Sequence, residues 1–279
     1  VSMNFNKVSK SAKERIFSEL KNNGYTKIKN FVPRKIIKKY LNLTRNIWQK
    51  SNGTSKYSPK IWNTANVIYN LQNKDLSYIK LLQCNLFDEI LKKKLNDPHF
   101  RNLKKKHSNY VLNNYQARSS GKGKLFLHID SGIPTGYTTH LQISIPLEDT
   151  NKEKGCTVVV PKSHKSRKFS DRSIKKFKYL EGNPGDVFIW DGNLWHGSLA
   201  NKTNSSRWNL IATFSNWRFK SVFDIPRSMS QNNYKKLSTK EKILLGYLTI
   251  PSHDENERVS SSIKTSKLKK NVKDYFKFK

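Results

Sequence analysis

The chain has 279 residues, of which 35% are hydrophobic and 11% aromatic, and this composition excludes a largely disordered protein. Its formal net charge is +34, from 54 basic and 20 acidic residues spread along the whole length. Cys84 and Cys156 are too few for a disulfide framework, and no apolar run reaches the length of a membrane span. We therefore expect a soluble, cytoplasmic protein.

The positive charge has two interpretations. Clustered Lys and Arg would indicate a nucleic-acid partner, because basic side chains release the counterions of a polyanion. The basic residues here are mostly Lys, belong to no nucleic-acid-binding module and accompany many Asn, Ile and Tyr residues, which favours a bias of bulk composition. We expect no specific nucleic acid and no membrane, and a small-molecule substrate, with an anionic one favoured by the positive field.

The N-terminal part of the chain, residues 1–105, is predicted to be mainly helical. Apolar residues recur there at helical spacing, and Gly24 and Pro33 stand where a helix ends and the next begins. We expect these helices to cover one face of a sheet. The predicted elements are helices over 11–21, 33–48 and 76–95, a strand over 25–31 and a loop over 51–63.

From about residue 106 the pattern changes to short apolar strands separated by Gly and polar turns. This succession predicts a mainly β fold with flanking helices, whose core is a double-stranded β-helix, the jelly-roll of cupin-like proteins. The core is predicted over about 106–220 and closing helices over 221–250, so that 1–251 forms one domain, with 252–279 a charged, weakly ordered tail. The predicted strands are 109–117, 125–130, 141–147, 157–160, 187–190, 194–200 and 207–214.

One basic segment, residues 167–180, interrupts the strands. We interpret it either as a lid over the mouth of a site or as a solvated excursion, since loops near sites often carry function. Its aromatic residues are Phe169, Phe177 and Tyr179, and the basic residues that would line a site mouth are Arg167, Lys168, Lys175 and Lys176.

A metal site is indicated by His128 and Asp130. In an extended strand, residues two apart point to the same face, so these two side chains project together while Ile129 packs behind them. A third ligand would complete the set of two imidazoles and one carboxylate that holds non-haem Fe(II) and leaves three coordination positions open. His196 is the leading candidate, because it follows a strand and a Gly/Asn turn in the segment 185–198.

Arg207 and Ser198 are predicted to stand beside this metal. If the strands on either side of the polar loop 201–206 formed a hairpin, Ser198 would lie opposite Arg207 and on the same face as His196. A guanidinium presents a planar, permanently charged fork to a carboxylate. The pair therefore suits the distal carboxylate of a dicarboxylate co-substrate.

The order His-x-Asp, then His, then Arg eleven residues later, with Ser two after the second His, resembles the phytanoyl-CoA dioxygenase family of Fe(II)/2-oxoglutarate oxygenases. The similarity extends over roughly residues 12 to 250, although Lys162 stands where members usually carry Gly before Ser-His, and Ile129 where a polar residue is common. Further segments that resemble the family are 24–31, 141–149, 155–164, 183–186 and 225–246.

This resemblance implies that His128, Asp130 and His196 bind Fe(II), and that Arg207 with Ser198 holds the far carboxylate of 2-oxoglutarate. It also implies O₂ as the second co-substrate, release of succinate and CO₂, and hydroxylation of an unactivated C–H bond. Because Asp130 is an intact carboxylate ligand, hydroxylation is favoured over the halogenation seen where that ligand is missing.

Substrate contacts are predicted for Tyr115, Gln116 and Arg118, which come from the strand expected to flank the metal strand. An acyl-CoA thioester is the alternative substrate, because the site mouth carries basic residues. A protein of another class also fits the barrel, namely a metal-binding or nucleic-acid-binding protein without turnover. The complete set of three ligands and Arg207 argue against this alternative.

Overall fold

Nine strands are described in residues 3–51, 65–96 and 108–250, the part of the chain that the computed structural model describes. Most of them are rich in buried residues, as the apolar runs of the sequence predict. The strands are β1 (Tyr25–Ile28), β2 (Ala65–Tyr69), β3 (Tyr110–Ser120), β4 (His140–Pro146), β5 (Thr157–Val159), β6 (Lys178–Leu180), β7 (Val187–Asp191), β8 (His196–Ser198) and β9 (Trp208–Asn216).

These strands form two sheets. The larger has the order β1-β7-β4-β9-β3-β2 and the smaller the order β6-β5-β8. The pairings of β7 with β1 and β4, of β2 with β3, and of β5 with β6 and β8 are antiparallel. The predicted mainly β core with flanking helices agrees with this arrangement.

The helices precede and follow the strands of the core. Ser9 caps the first helix by accepting a hydrogen bond from the Ala12 amide at 3.2 Å, and Ser238 with Glu241 forms a capping box at the start of the last. Among the described helices, none combines the length and apolar composition that crossing a bilayer requires. The helices are α1 (Lys10–Asn22), α2 (Arg34–Lys50), α3 (Leu71–Lys74), α4 (Ser77–Leu82), α5 (Asn85–Leu95), α6 (Ile225–Ser228), α7 (Gln231–Lys236) and α8 (Thr239–Leu244).

Two compact units divide the chain. The first consists of Val1–Leu71 with Tyr115–Thr213, and the second of Gln72–Asn114 with Phe214–Lys279. All the predicted site residues belong to the first unit. The assignment of 1–251 to a single domain stays a prediction, while the tail 252–279 and all but the first residue of the loop 51–63 lie outside the described residues.

The structure differs from the local expectations in three places. The helical region predicted over 76–95 consists of two helices, because Cys84 adopts an extended backbone (φ −104°, ψ 139°) between α4 and α5. The segment 125–130 is not a continuous strand, since only His128 forms a β-bridge there. Strands β2 and β6 were not predicted, because neither stretch carries a strong apolar alternation.

The predicted hairpin between the His196 and Arg207 strands was also wrong. Strand β8 pairs with β5 in the smaller sheet, whereas β9 lies between β4 and β3 in the larger one. The connection through 199–207 therefore crosses from one sheet to the other. In a jelly-roll, strands that are adjacent in sequence commonly belong to opposite sheets, so a short polar loop does not by itself identify a hairpin.

Lys162 explains one departure from the resembled family. Its backbone is left-handed (φ 68°), and it leads into a single 3-10 turn at Ser163–Lys165. Glycine adopts this conformation without a steric penalty, which accounts for the Gly that family members usually carry at this position. The Trp195 amide donates a hydrogen bond to the Ser163 hydroxyl at 2.8 Å, which holds the turn in place here.

Candidate metal centre

The backbone brings the predicted metal ligands together from two segments. The His128 amide donates to the His196 carbonyl at 2.9 Å, and the His196 amide donates to the His128 carbonyl at 3.0 Å. Two residues further on, the Asp130 amide donates to the Gly192 carbonyl at 2.8 Å. The segment that carries His128 and Asp130 is thus anchored on both ends of the 192–196 turn.

The three side chains converge. One ligand atom from each of His128, Asp130 and His196 lies within 4.8 Å of the other two. Among the described residues, no other group of three or more His, Cys, Asp or Glu side chains comes this close together. Asp130 Oδ2 lies 3.1 Å from His196 Nε2, and Asp130 Oδ1 lies 3.7 Å from His128 Nε2. Both segments therefore contribute to one donor set.

The histidine rings are oriented by backbone carbonyls. Nδ1 of His128 lies 3.1 Å from the Phe126 carbonyl, and Nδ1 of His196 lies 2.9 Å from the Leu194 carbonyl. A carbonyl only accepts, so each Nδ1 carries the proton and donates it. Nε2 of each ring then faces Asp130, and in the neutral imidazole this atom carries the lone pair that a metal ligand requires.

Electrostatics keep the carboxylate charged. Burial opposes ionisation of Asp130, but the neighbouring His196 and His128 outweigh it and hold the pKa of this carboxyl well below its usual range. Burial and the nearby His196 lower the pKa of His128 to about 4. For His196 burial acts in the same direction, but Asp130 outweighs it and the pKa is raised. The set thus offers an anionic oxygen and a neutral His128 at neutral pH.

Arg207 is a buried guanidinium whose hydrogen-bond partners are polar but uncharged. It is 2% exposed, and its side chain donates to the hydroxyls of Ser120 and, at 3.4 Å, of Thr150. Its Nε has no hydrogen-bond partner among the described residues, and no carboxylate there forms a salt bridge with it. Burial lowers its pKa to about 10. A buried cation without a counter-ion is costly, so this site suits a ligand that brings a carboxylate.

Ser198 does not lie where the hairpin argument placed it. It is half-buried and opposes Thr157 across β5 and β8, and no hydrogen bond joins it to Arg207 in the described part of the chain. Its role with the co-substrate stays a prediction. The hydroxyls that contact Arg207 come from Ser120 and Thr150, and no local sequence pattern identifies these two residues.

The three predicted substrate residues do not share one face of β3. The register of β3 against β2 is regular from 116 to 120, so Gln116, Arg118 and Ser120 point to one side. Ser120 contacts Arg207, and therefore this side faces the site. Tyr115 is fully buried and points to the opposite side. Substrate contact by Tyr115, Gln116 and Arg118 stays a prediction, and of the three only Gln116 and Arg118 lie on the side of β3 that carries Ser120.

Arg118 is the second guanidinium of the site. It interacts electrostatically with Asp130, and burial lowers its pKa. Its Nε is buried without a hydrogen-bond partner in the described residues. The same charge acts to lower the pKa values of His128, His196 and Arg207, although for His196 the effect of Asp130 outweighs it. Arg118 therefore lies within electrostatic range of both the donor set and the predicted co-substrate residue.

Segment 167–180 packs against the residues that carry His128. The Ser170 hydroxyl donates to the Leu127 carbonyl at 2.7 Å, and the Lys168 carbonyl accepts from Trp195 Nε1 at 3.1 Å. The Arg172 guanidinium lies 3.9 Å from the centre of the Phe126 ring. These contacts favour the interpretation of segment 167–180 as a lid rather than as a solvated excursion, because the segment packs on residues 126–128, although Phe169 remains 66% exposed.

A hydrogen-bonded pair behind Asp130 was missed by the sequence analysis. Gln142 on β4 donates from Nε2 to Asp130 Oδ2 at 2.8 Å, and Thr213 on β9 donates to Gln142 Oε1 at 2.6 Å. Both residues are buried. The feature of the sequence that points to this role is Gln142, a polar residue within the largely apolar strand β4.

The donor set fits Fe(II). Two imidazoles and one carboxylate are the ligands of the facial set that non-haem iron oxygenases use, and here one ligand atom from each residue lies within 4.8 Å of the others. The unpaired Nε of Arg207 fits a dicarboxylate co-substrate. Residues of this chain can therefore hold both Fe(II) and a dicarboxylate co-substrate.

Comparison with known proteins gives a family match. The family model described as "Phytanoyl-CoA dioxygenase (PhyH)" matches residues 20–208, more than half of the chain. Two curated relatives, Uncharacterized protein Mb1539 of Mycobacterium bovis and Uncharacterized protein Rv1501 of Mycobacterium tuberculosis, are each 25% identical over 122 residues. The match covers 41% of this chain and 43% of each relative, so the chain spans less than half of their length.

Solved structures confirm the double-stranded β-helix fold. HygX from Streptomyces hygroscopicus, with nickel and 2-oxoglutarate bound, has a TM-score of 0.61 at 12% identity and covers 77% of this chain and 90% of its own. The epimerase SnoN of nogalamycin biosynthesis has a TM-score of 0.58 at 15% identity, with 75% and 82% covered. The carbocyclase SnoK of the same biosynthesis has a TM-score of 0.57 at 17% identity, with 83% and 92% covered.

Proposed function

Because the chain belongs to the phytanoyl-CoA dioxygenase family, it is a non-haem iron enzyme that depends on 2-oxoglutarate, and we propose that it hydroxylates an unactivated C–H bond of a small molecule. The observation that carries this proposal is the convergence of His128, Asp130 and His196, in a chain that also buries Arg207 without a counter-ion among the described residues.

His128, Asp130 and His196 are proposed as the ligands of Fe(II). Arg207 is proposed to bind the distal carboxylate of 2-oxoglutarate, with Ser198 as a further contact. When bound, the iron supplies the oxidising chemistry, in which 2-oxoglutarate is converted to succinate and CO₂ at the expense of O₂. The chain itself holds the ligands in the correct tautomer, anchors the co-substrate and excludes water. An intact Asp130 favours hydroxylation over halogenation.

The charge of the site supports an anionic substrate. Arg118, Arg207 and a divalent ion together carry four positive charges, against three negative charges from Asp130 and a bound 2-oxoglutarate dianion. One positive charge is left in a buried region, where an unpaired ion is costly. We propose that Arg118 pairs with an anionic group of the substrate. An acyl-CoA thioester is one option, because basic residues of segment 167–180 pack beside the metal strand.

The role of Arg118 is tested with Arg118→Gln, which keeps a polar side chain and removes the charge. The variant should retain the half-saturating 2-oxoglutarate concentration of the wild type in uncoupled turnover. The KM for an anionic substrate should rise at least tenfold, since a charge-assisted hydrogen bond is lost. An increase in half-saturating 2-oxoglutarate with unchanged substrate KM would instead assign Arg118 to the co-substrate.

The proposed function is tested by succinate formation with Fe(II), ascorbate and 2-oxoglutarate in the presence of metabolite pools, DNA or RNA. About 150 mM salt should be used, because surface charges are largely screened there. We expect stimulation by a metabolite fraction and weak, salt-sensitive binding of nucleic acid. Stimulation by nucleic acid alone would contradict the small-molecule proposal, and no succinate under any condition would contradict turnover.

Mass spectrometry of the product separates the possible reaction outcomes. Hydroxylation adds one oxygen atom to the substrate. The SnoN and SnoK neighbours are described as an epimerase and a carbocyclase, reactions that leave the mass unchanged or remove two hydrogen atoms. A product of either kind would replace hydroxylation as the reaction while leaving the proposed iron and 2-oxoglutarate sites in place.

A further inference from the structure

We propose that Gln142 and Thr213 are positioning residues that hold Asp130 to ligation through a single oxygen, and this inference rests on the proposed metal site. Gln142 Nε2 donates to Asp130 Oδ2 at 2.8 Å, and the Thr213 hydroxyl donates to Gln142 Oε1 at 2.6 Å. The three residues form a continuous chain of hydrogen bonds from β9 through β4 to the carboxylate.

Thr213 determines which end of the Gln142 amide faces the metal ligand. A carboxylate that ligates a metal can only accept hydrogen bonds, so the amide must present its NH₂ group to it, as it does here. A reversed amide would bring the carbonyl oxygen of Gln142 against a carboxylate oxygen. Thr213 opposes that reversal, because its hydroxyl already donates to Oε1. Gln142 is 3% exposed and Thr213 9% exposed, so little water is available to replace either bond.

Single-oxygen ligation matters for the number of open coordination positions. Two imidazoles and one carboxylate oxygen leave three positions on a six-coordinate ion, which a chelating 2-oxo acid and O₂ require. A carboxylate that bound through both oxygens would occupy one of these three open positions. A donor on Oδ2 competes with the metal for that oxygen and fixes the plane of the carboxylate, as partners behind metal ligands generally do.

The sheet itself makes this arrangement rigid. Gln142 opposes Trp190 in the register of β4 with β7, and β4 neighbours β9 on its other side. The donors behind Asp130 therefore come from two adjacent central strands and not from a loop. This location distinguishes positioning residues from a chance surface contact, because central strands are the least mobile part of such a sheet.

The test uses Co(II) as the metal probe and compares three variants with the wild type. Gln142→Leu removes the donor to Asp130, Thr213→Val removes only the hydroxyl, and the double variant removes both. Thr26→Val is the matched control, because Thr26 is also buried in the larger sheet and donates its hydroxyl to a carboxylate, that of Glu19. Co(II) affinity by calorimetry, the Co(II) absorption spectrum and the Tm of the metal-free protein are measured.

Gln142→Leu should weaken Co(II) binding roughly 10-fold to 100-fold, the usual effect of losing a partner behind a metal ligand. Thr213→Val should produce a smaller loss and a shifted Co(II) spectrum, and should add nothing in the Gln142→Leu background. Thr26→Val should lower Tm and leave both metal readouts unchanged.

The inference is overturned if Thr213→Val behaves like Thr26→Val, with a lower Tm but wild-type Co(II) affinity and spectrum. That result decides the question even if Gln142→Leu fails to fold. A wild-type protein that binds no Co(II) would instead overturn the metal site itself, so the two failures are distinguishable.

Discussion

His128 and His196 are joined by a reciprocal pair of backbone hydrogen bonds, 2.9 and 3.0 Å long, and their imidazole rings lie with centroids 4.3 Å apart. The two residues form an isolated β-bridge between the segment that precedes Asp130 and strand β8. The separation of the two rings is therefore set by main-chain geometry and not by side-chain packing alone. A change that pushes the two backbones apart should disturb the metal site without altering any ligand.

Gly197→Ala tests this relationship. A Cβ at Gly197 would lie 2.6 Å from the Phe126 carbonyl oxygen, and backbone atoms cannot move aside as a flexible side chain can. We expect a loss of about 1 to 3 kcal/mol in the free energy of unfolding, as for other overpacked sites, together with weaker metal binding. Chemical denaturation and metal titration measure the two effects. Gly132→Asn is the control, because nothing lies within 4 Å of that position and Asn tolerates its positive φ.

Removal of any one proposed ligand should abolish stoichiometric Fe(II) binding. His128→Ala, Asp130→Ala and His196→Ala each leave two protein ligands, which seldom retain this metal. Metal analysis after gel filtration provides the measurement, and removal of the metal with a chelator should lower the Tm of the wild type but not of the variants. His164→Ala, a histidine outside the donor set, should bind iron normally. Tight iron in His196→Ala would show that the third ligand is a different residue.

Arg207→Ala should mainly weaken 2-oxoglutarate, because it removes a charge-assisted contact and leaves the metal ligands intact. A cost of about 2 to 4 kcal/mol is expected in binding of the co-substrate. Arg207→Lys should recover only part of it, since an ammonium group lacks the planar fork. The half-saturating 2-oxoglutarate concentration for succinate formation is the measurement.

Arg45→Ala is the matched charge control for Arg207. Arg45 pairs with Glu148 at 2.5 Å on the exposed side of α2, and its loss should leave half-saturation by 2-oxoglutarate unchanged. If Arg207→Ala showed the same half-saturating concentration as this control, another basic residue would have to bind the co-substrate.

Ser170→Ala should loosen the packing of segment 167–180 on the segment that carries His128. The substitution removes the hydrogen bond to the Leu127 carbonyl, a contribution of about 0.5 to 1.5 kcal/mol. Amide hydrogen exchange should accelerate locally in this segment, while global stability changes little. Ser173→Ala is the control, because within the described residues Ser173 bonds only to the nearby Asp171 in an exposed turn. Equal exchange in the two variants would mean that the Ser170 contact does not restrain the segment.

The convergence of His128, Asp130 and His196 was predictable from the sequence alone. An extended backbone places His128 and Asp130 on one face even though segment 125–130 is not a continuous strand, and the role of the three residues as metal ligands stays a prediction. Apolar runs identified seven of the nine strands, with limits that differ by a few residues, because burial of these runs drives the fold. The permanently charged Arg207 was selected for its chemistry, which does not depend on the pairing of its strand.

The tertiary structure decided which strands are neighbours, and with them the partners of each functional group. The hairpin was inferred from local sequence. In the structure β8 pairs with β5 and β9 lies between β4 and β3, and these partners are distant in sequence, so β8 and β9 belong to different sheets. For the same reason Ser120 and Thr150 contact Arg207, and Gln142 and Thr213 stand behind Asp130. Hydrogen bonds between strands depend on register, and register is established only when the two hydrophobic faces pack together.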